Sequence, residues 1–129
     1  MSALLKSVII FVGAGIGANG RYWFGGWVAE RWGATFPWGT LAVNATGSFL
    51  IGAILGAMVH TPTPLGWRLF LTVGVLGGYT TFSTFSYETL ELVRDRSYGL
   101  AAANVGLNCA LGLLAAFAGL VLVRAVLRV

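Results

Sequence analysis

The chain has 129 residues, 57% hydrophobic and only 9% charged, with a mean hydropathy of +0.84. A soluble domain carries about a quarter charged residues, so this is an integral membrane protein. Four segments of about twenty apolar residues use up nearly the whole length and leave no soluble domain to house an enzyme. The formal charge of +4 comes from 8 Lys+Arg against 4 Asp+Glu gathered mostly at segment ends. That placement points to interfacial anchoring and away from nucleic-acid binding.

Segment one spans about residues 4–29. Lys6 before an apolar run has the outline of a signal peptide, but the run continues through Trp23 and Trp27 and reads as a retained first helix. Trp23, Trp27 and Trp32 form an aromatic belt near its far end. Gly13, Gly17 and Gly20 suit close helix packing. Gly15-Ile16-Gly17-Ala18-Asn19-Gly20 matches the dinucleotide fingerprint in form only, because no strand precedes it. Segment two, about residues 38–59, follows the turn Phe36-Pro37-Trp38 and carries Gly52 and Gly56 at the spacing of a helix contact. The sequon at Asn44 is a chance match inside a membrane span.

A short proline-broken loop leads to segment three, about residues 68–94. In its middle stands Gly77-Gly78-Tyr79-Thr80-Thr81-Phe82-Ser83-Thr84-Phe85. Adjacent glycines followed by Tyr, Thr and Thr are poor helix formers. Backbone carbonyls freed at membrane depth survive only when buried in protein or lining a polar cavity, and broken helices are where membrane proteins tend to bind ions. A hinge or a close helix contact is the plainer alternative. Segment four, about residues 98–123, holds the lone Cys109, from which neither a disulfide nor a metal site follows.

Four spans put both termini on one face, with Lys6, Arg68, Arg124 and Arg128; the other face has Arg31, Arg94 and Arg96, and Arg21 if it reaches the interface. Orientation follows Lys/Arg asymmetry, and here there is almost none. The chain is therefore expected to insert both ways and to form an antiparallel homodimer. Counting residues inward puts Arg21, Asn44, Glu88, Asn104 and Asn108 in one band, about 9–15 Å inside the second face. Charges at that depth face water or a partner. Arg21 and Glu88 either pair with each other, or Arg21 serves an electropositive vestibule that concentrates an anion. The amides of Asn44, Asn104 and Asn108 either donate to a dehydrated anion or bond between helices. Phe82 and Phe85 share a helix face, and aromatic rings have positive edges that suit an anion; packing is their plainer role. In an antiparallel dimer the two mid-membrane breaks would meet on the two-fold axis, where their carbonyls could enclose one hard cation.

At these positions the sequence resembles the Fluc (CrcB) family of fluoride channels. The matching pieces are residues 13–22 (GAGIGANGRY), 39–49 (GTLAVNATGSF) and 77–86 (GGYTTFSTFS), with Glu88 after the last. The resemblance implies an all-α integral membrane protein of four transmembrane helices, the third broken at mid-membrane, in an antiparallel, dual-topology homodimer. It implies a multi-pass place in a bacterial-type plasma (inner) membrane, passive fluoride export through two antiparallel pores, and fluoride resistance. The pore residues would be Phe82, Phe85, Asn44, Asn104, Asn108, Ser83 and Thr84, with Arg21 in the vestibule. Gly77 and Thr80 would offer backbone carbonyls to a structural sodium ion at the dimer centre. Members carry a hydroxyl-bearing track on the fourth helix; here Asn104 and Asn108 stand there, and Gly112 one turn on has no donor. Small multidrug-resistance-like antiporters share four spans and antiparallel pairing but call for an acid within the first helix, where none precedes Glu30. A structural helix bundle accounts for the glycines but not for the polar band.

Overall fold

The structure, a computed structural model, describes residues 1–128. It is all-helical, with no strand among the described residues. Helix α1 is Ala3–Trp32, capped by Ser2, whose hydroxyl accepts from the Leu5 amide at 3.2 Å, and ended by Gly33 at φ 86°. Helix α2 is Trp38–His60. Helix α3 covers 65–79, built as α-helix over Leu65–Arg68, π-helix over Leu69–Leu76 and α-helix again over Gly77–Tyr79. Helix α4 is Phe82–Arg94 and α5 is Tyr98–Leu127. Three of these, α1, α2 and α5, are long and apolar enough to cross a membrane unaided; α3 and α4 together make the fourth, interrupted crossing.

The helices pack as two close pairs, α1 with α3 and α2 with α5, and glycine sets both distances. Gly13 and Gly17 of α1 are buried against the π-helical turns. A Cβ at Gly13 would sit 2.9 Å from Gly74 Cα, and one at Gly17 would overlap the Val75 carbonyl oxygen. The third glycine of that set, Gly20, meets only the Tyr79 ring. Gly52 and Gly119 bring α2 and α5 together in the same way, against the carbonyls of Ala116 and Phe49. The pairing expected from Gly52 and Gly56 is thus a contact with the last helix. Continuous π-helix over eight residues is uncommon, and here it runs along the α1 contact.

The break falls three residues later than the glycines suggest. Gly77 is helical (φ −65°, ψ −36°), whereas Thr80 (φ −78°, ψ 158°) and Thr81 (φ −149°, ψ 119°) are extended. Gly78 serves proximity: a Cβ there would overlap the Ala14 carbonyl oxygen of α1. Thr81 caps α4, its hydroxyl accepting from the Thr84 amide at 3.2 Å. A β-branched hydroxyl residue in extended backbone is an ordinary N-cap, so the restart of the helix is written in Thr81 rather than in the glycine pair.

Candidate functional site

One side chain bridges the gap in the backbone. Continuing the helix would send the Thr81 amide to the Gly77 carbonyl; it donates instead to Asn44 Oδ1 at 2.9 Å. Asn44 Nδ2 in turn donates to the Thr81 carbonyl at 3.0 Å. The amide of Asn44 thus treats Thr81 as a neighbouring strand would, satisfying both of its backbone groups, which is the condition for irregular backbone inside a membrane. Gly77 O loses its usual donor by the same exchange.

From Asn44 a line of amides runs along α5. Asn44 Nδ2 also donates to Asn108 Oδ1 at 3.0 Å, and Asn108 Nδ2 donates to Asn104 O (3.0 Å) and Oδ1 (2.9 Å). Asn104 Nδ2 donates to Thr89 Oγ1 at 2.9 Å. Asn104 is 0% exposed and lines neither cavity described below. The three amides share one band, and in this structure they bond to one another, which is the interhelical alternative of the sequence reading.

Two cavities meet at Thr81. The larger, about 710 Å³, is lined among others by Arg21, Thr40, Thr81, Thr84, Glu88, Glu91 and Asp95. Arg21 does not pair with Glu88: its Nη1 donates to the Thr80 carbonyl at 3.3 Å, while Glu88 Oε1 accepts from Thr40 Oγ1 at 2.8 Å and Oε2 is left without a partner among the described residues. Arg21 lines this cavity together with three carboxyl groups, so the electropositive lining expected from sequence is not a property of the single chain. The smaller cavity, about 280 Å³, is a groove lined by Asn44, Ser48, Thr80, Thr81, Phe82, Phe85, Asn108 and Cys109. The rings of Phe82 and Phe85 stand 5.5 Å apart, tilted by 52°. Phe82 is 79% exposed, so the groove lies open at the surface of one chain.

A sequence model of the family described as "CrcB-like protein, Camphor Resistance (CrcB)" matches residues 8–120. The chain belongs to this CrcB family. It is 43% identical over 118 residues to a protein of Acidobacterium capsulatum, covering 91% of this chain and 94% of the relative. It is 47% identical over 116 residues to a protein of Geobacter sulfurreducens, covering 89% and 94%. A protein of Thermus thermophilus is 46% identical over 114 residues, covering 88% and 90%. Each of the three carries the name "Fluoride-specific ion channel FluC".

Within this CrcB chain the structure gathers Asn44, Asn108, Phe82 and Phe85 on one groove. Thr84 lines the larger cavity with Arg21, and Ser83 is exposed with its hydroxyl 3.4 Å from Thr81 Oγ1. Sequence reasoning missed Thr40 and Ser48. Both were signalled: Thr40, Asn44 and Ser48 recur every four residues and so make one polar stripe on α2, touching Glu88, the break and the groove in turn.

Proposed function

We propose that this chain is a fluoride-selective passive channel that lets cytoplasmic fluoride run down its gradient and so lowers fluoride toxicity. Family membership and the names of its relatives support the reading. The observation that carries it is the groove at the helix break, where two aromatic rings and two amides line one largely apolar groove. Fluoride must shed water to pass. The positive ring edges of Phe82 and Phe85 and the amide hydrogens of Asn44 and Asn108 offset that loss. An anion is a stronger acceptor than an amide oxygen, so it draws the Asn44 N–H away from Asn108. Arg21, Asn104, Ser83 and Thr84 serve at either end of this path or behind it.

The test is efflux from liposomes holding the pure protein, with an electrode following fluoride, chloride-loaded vesicles as control, and a potassium–valinomycin gradient as driving force. Fast fluoride loss without chloride loss is expected, and no efflux from well-inserted protein overturns the reading. Phe82→Ile or Phe85→Ile should slow it by at least about tenfold while leaving the fold intact. Unchanged flux in both removes the aromatic edges from the mechanism.

The assembly we propose is an antiparallel homodimer in the plasma (inner) membrane, with two pores. The exposed Phe82, together with the polar Ser83 and Gly77 on the surface of one chain, supports a second copy covering that face. A structural sodium ion would sit among the Gly77 and Thr80 carbonyls. Gly77 fits, since its carbonyl has lost its helical donor; the Thr80 carbonyl already takes a long bond from Arg21 and keeps one lone pair for a cation. With Cys109→Ser leaving a single thiol, Arg96→Cys should be labelled by an impermeant thiol reagent from both membrane faces, and exchanging sodium for a bulky organic cation should weaken the dimer. One-sided labelling ends the dual-topology proposal. A dimer indifferent to sodium ends the cation site.

A further inference from the structure

We infer that Ser48 of α2 supplies the donor that first receives the anion in the groove. The inference rests on the channel reading above and names a residue that reading does not need. Of the groove's strong side-chain donors, almost all are committed. Asn44 gives its two N–H groups to Thr81 O and Asn108 Oδ1, and Asn108 gives its two to Asn104. The Thr80 hydroxyl donates to Leu76 O and the Thr81 hydroxyl to Thr84 Oγ1. The Cys109 thiol is a weak donor. Ser48 lines the same groove, and its hydroxyl has no hydrogen-bond partner among the described residues.

That freedom is unusual for this chain. Hydroxyls on membrane helices commonly bond back to the carbonyl four residues earlier, and Thr46, Thr72, Thr80, Ser86 and Thr89 all do so here. Ser48 would have Asn44 O for that purpose and does not use it. Beside Ser48 stands Gly112 of α5, where a Cβ would lie 3.6 Å from Ser48 Oγ and touch nothing else. The missing side chain leaves the hydroxyl room to turn. An uncommitted donor thus stands on α2, one helical turn beyond Asn44. An anion entering the groove meets an uncommitted O–H first, without breaking an existing bond, and the committed amides of Asn44 and Asn108 next.

The experiment is fluoride flux through the reconstituted full chain, with the fluoride concentration at half-maximal rate measured for each variant. Ser48→Ala should cut flux at low fluoride by about tenfold or more and raise the half-saturating concentration. Ser48→Thr, which keeps the hydroxyl, should stay near the unaltered rate. The double variant Ser48→Ala with Gly112→Ser, which moves the hydroxyl onto the neighbouring helix, should recover most of the loss; the 3.6 Å spacing leaves space for it. A Ser48→Ala channel as fast as the unaltered one, beside a Phe82→Ile channel that is slow, overturns the role of Ser48 and leaves the channel reading standing. Loss that neither Ser48→Thr nor the moved hydroxyl rescues shows a packing role and overturns it too. An unaltered chain that passes no fluoride overturns both readings together.

Discussion

Replacing Asn44 by Ala is expected to stop flux and to destabilise the protein by roughly 2–4 kcal/mol, the cost of leaving buried backbone donors and acceptors unmet. The estimate turns on what Asn44 holds. A hydrogen bond between two side chains in a membrane averages about 0.6 kcal/mol, because the separated helices find other partners. The contact with Asn108 is of that kind. The bonds to Thr81 N–H and C=O are different: they belong to an extended residue whose own helix supplies neither partner. Asn44→Asp separates the two parts. A carboxylate still accepts from the Thr81 amide but faces the Thr81 carbonyl and Asn108 Oδ1 with no hydrogen to give, so flux should fall as far as in the Ala variant with a smaller loss of stability. Thermal unfolding in detergent beside liposome flux measures both. An Asn44→Ala protein with unchanged melting and normal flux would show that water satisfies the break and that Asn44 is incidental.

Gly17→Ala should be among the most damaging single methyls in the chain, costing about 3 kcal/mol as overpacking with no side chain free to yield. The added carbon would overlap the Val75 carbonyl oxygen and lie 2.8 Å from the Tyr79 amide nitrogen, both backbone atoms. Relief requires α1 and α3 to separate, which moves the lower lip of the break. Gly26 and Gly99 have open space at the same position, so their alanine variants should be neutral or gain up to about 1 kcal/mol of helix propensity. Size-exclusion profiles and melting temperatures of the three proteins decide it. Equal behaviour would mean that the helices slide apart at little cost.

The sequence foresaw the four crossings, the interruption of the third, and the sharing of one level by Asn44, Asn104 and Asn108. Hydropathy and residue counting carry that much, because a helix rises evenly. What they do not carry is the partner of each polar group. Gly77 and Gly78 read as helix breakers, yet they are helical, and Gly78 is small because Ala14 is close; a glycine looks the same in sequence whether it bends the chain or admits a neighbour. Arg21 and Glu88 sit at one depth and both line the larger cavity, but each takes a different partner, Thr80 O and Thr40. Depth is one coordinate, and pairing needs the rotation of each helix as well. The stripe of Thr40, Asn44 and Ser48 had the rotation in it and was readable in principle.

The two glycine-set pairs also fix when the molecule can assemble. Neither α1 nor α2 has its closest neighbour next in the chain: α1 waits for 65–79 and α2 for Tyr98–Leu127. During synthesis the first two crossings must therefore stand in the bilayer without their main partners until later segments arrive. Fully apolar helices tolerate that delay, since lipid covers them as well as protein does. Asn44 does not enjoy the same cover, because its amide has neither Thr81 nor Asn108 until the third and fourth crossings are in place. Quality control in the membrane therefore has the unpartnered amide of Asn44 to read, and chains cut short before residue 98 should be the ones it removes.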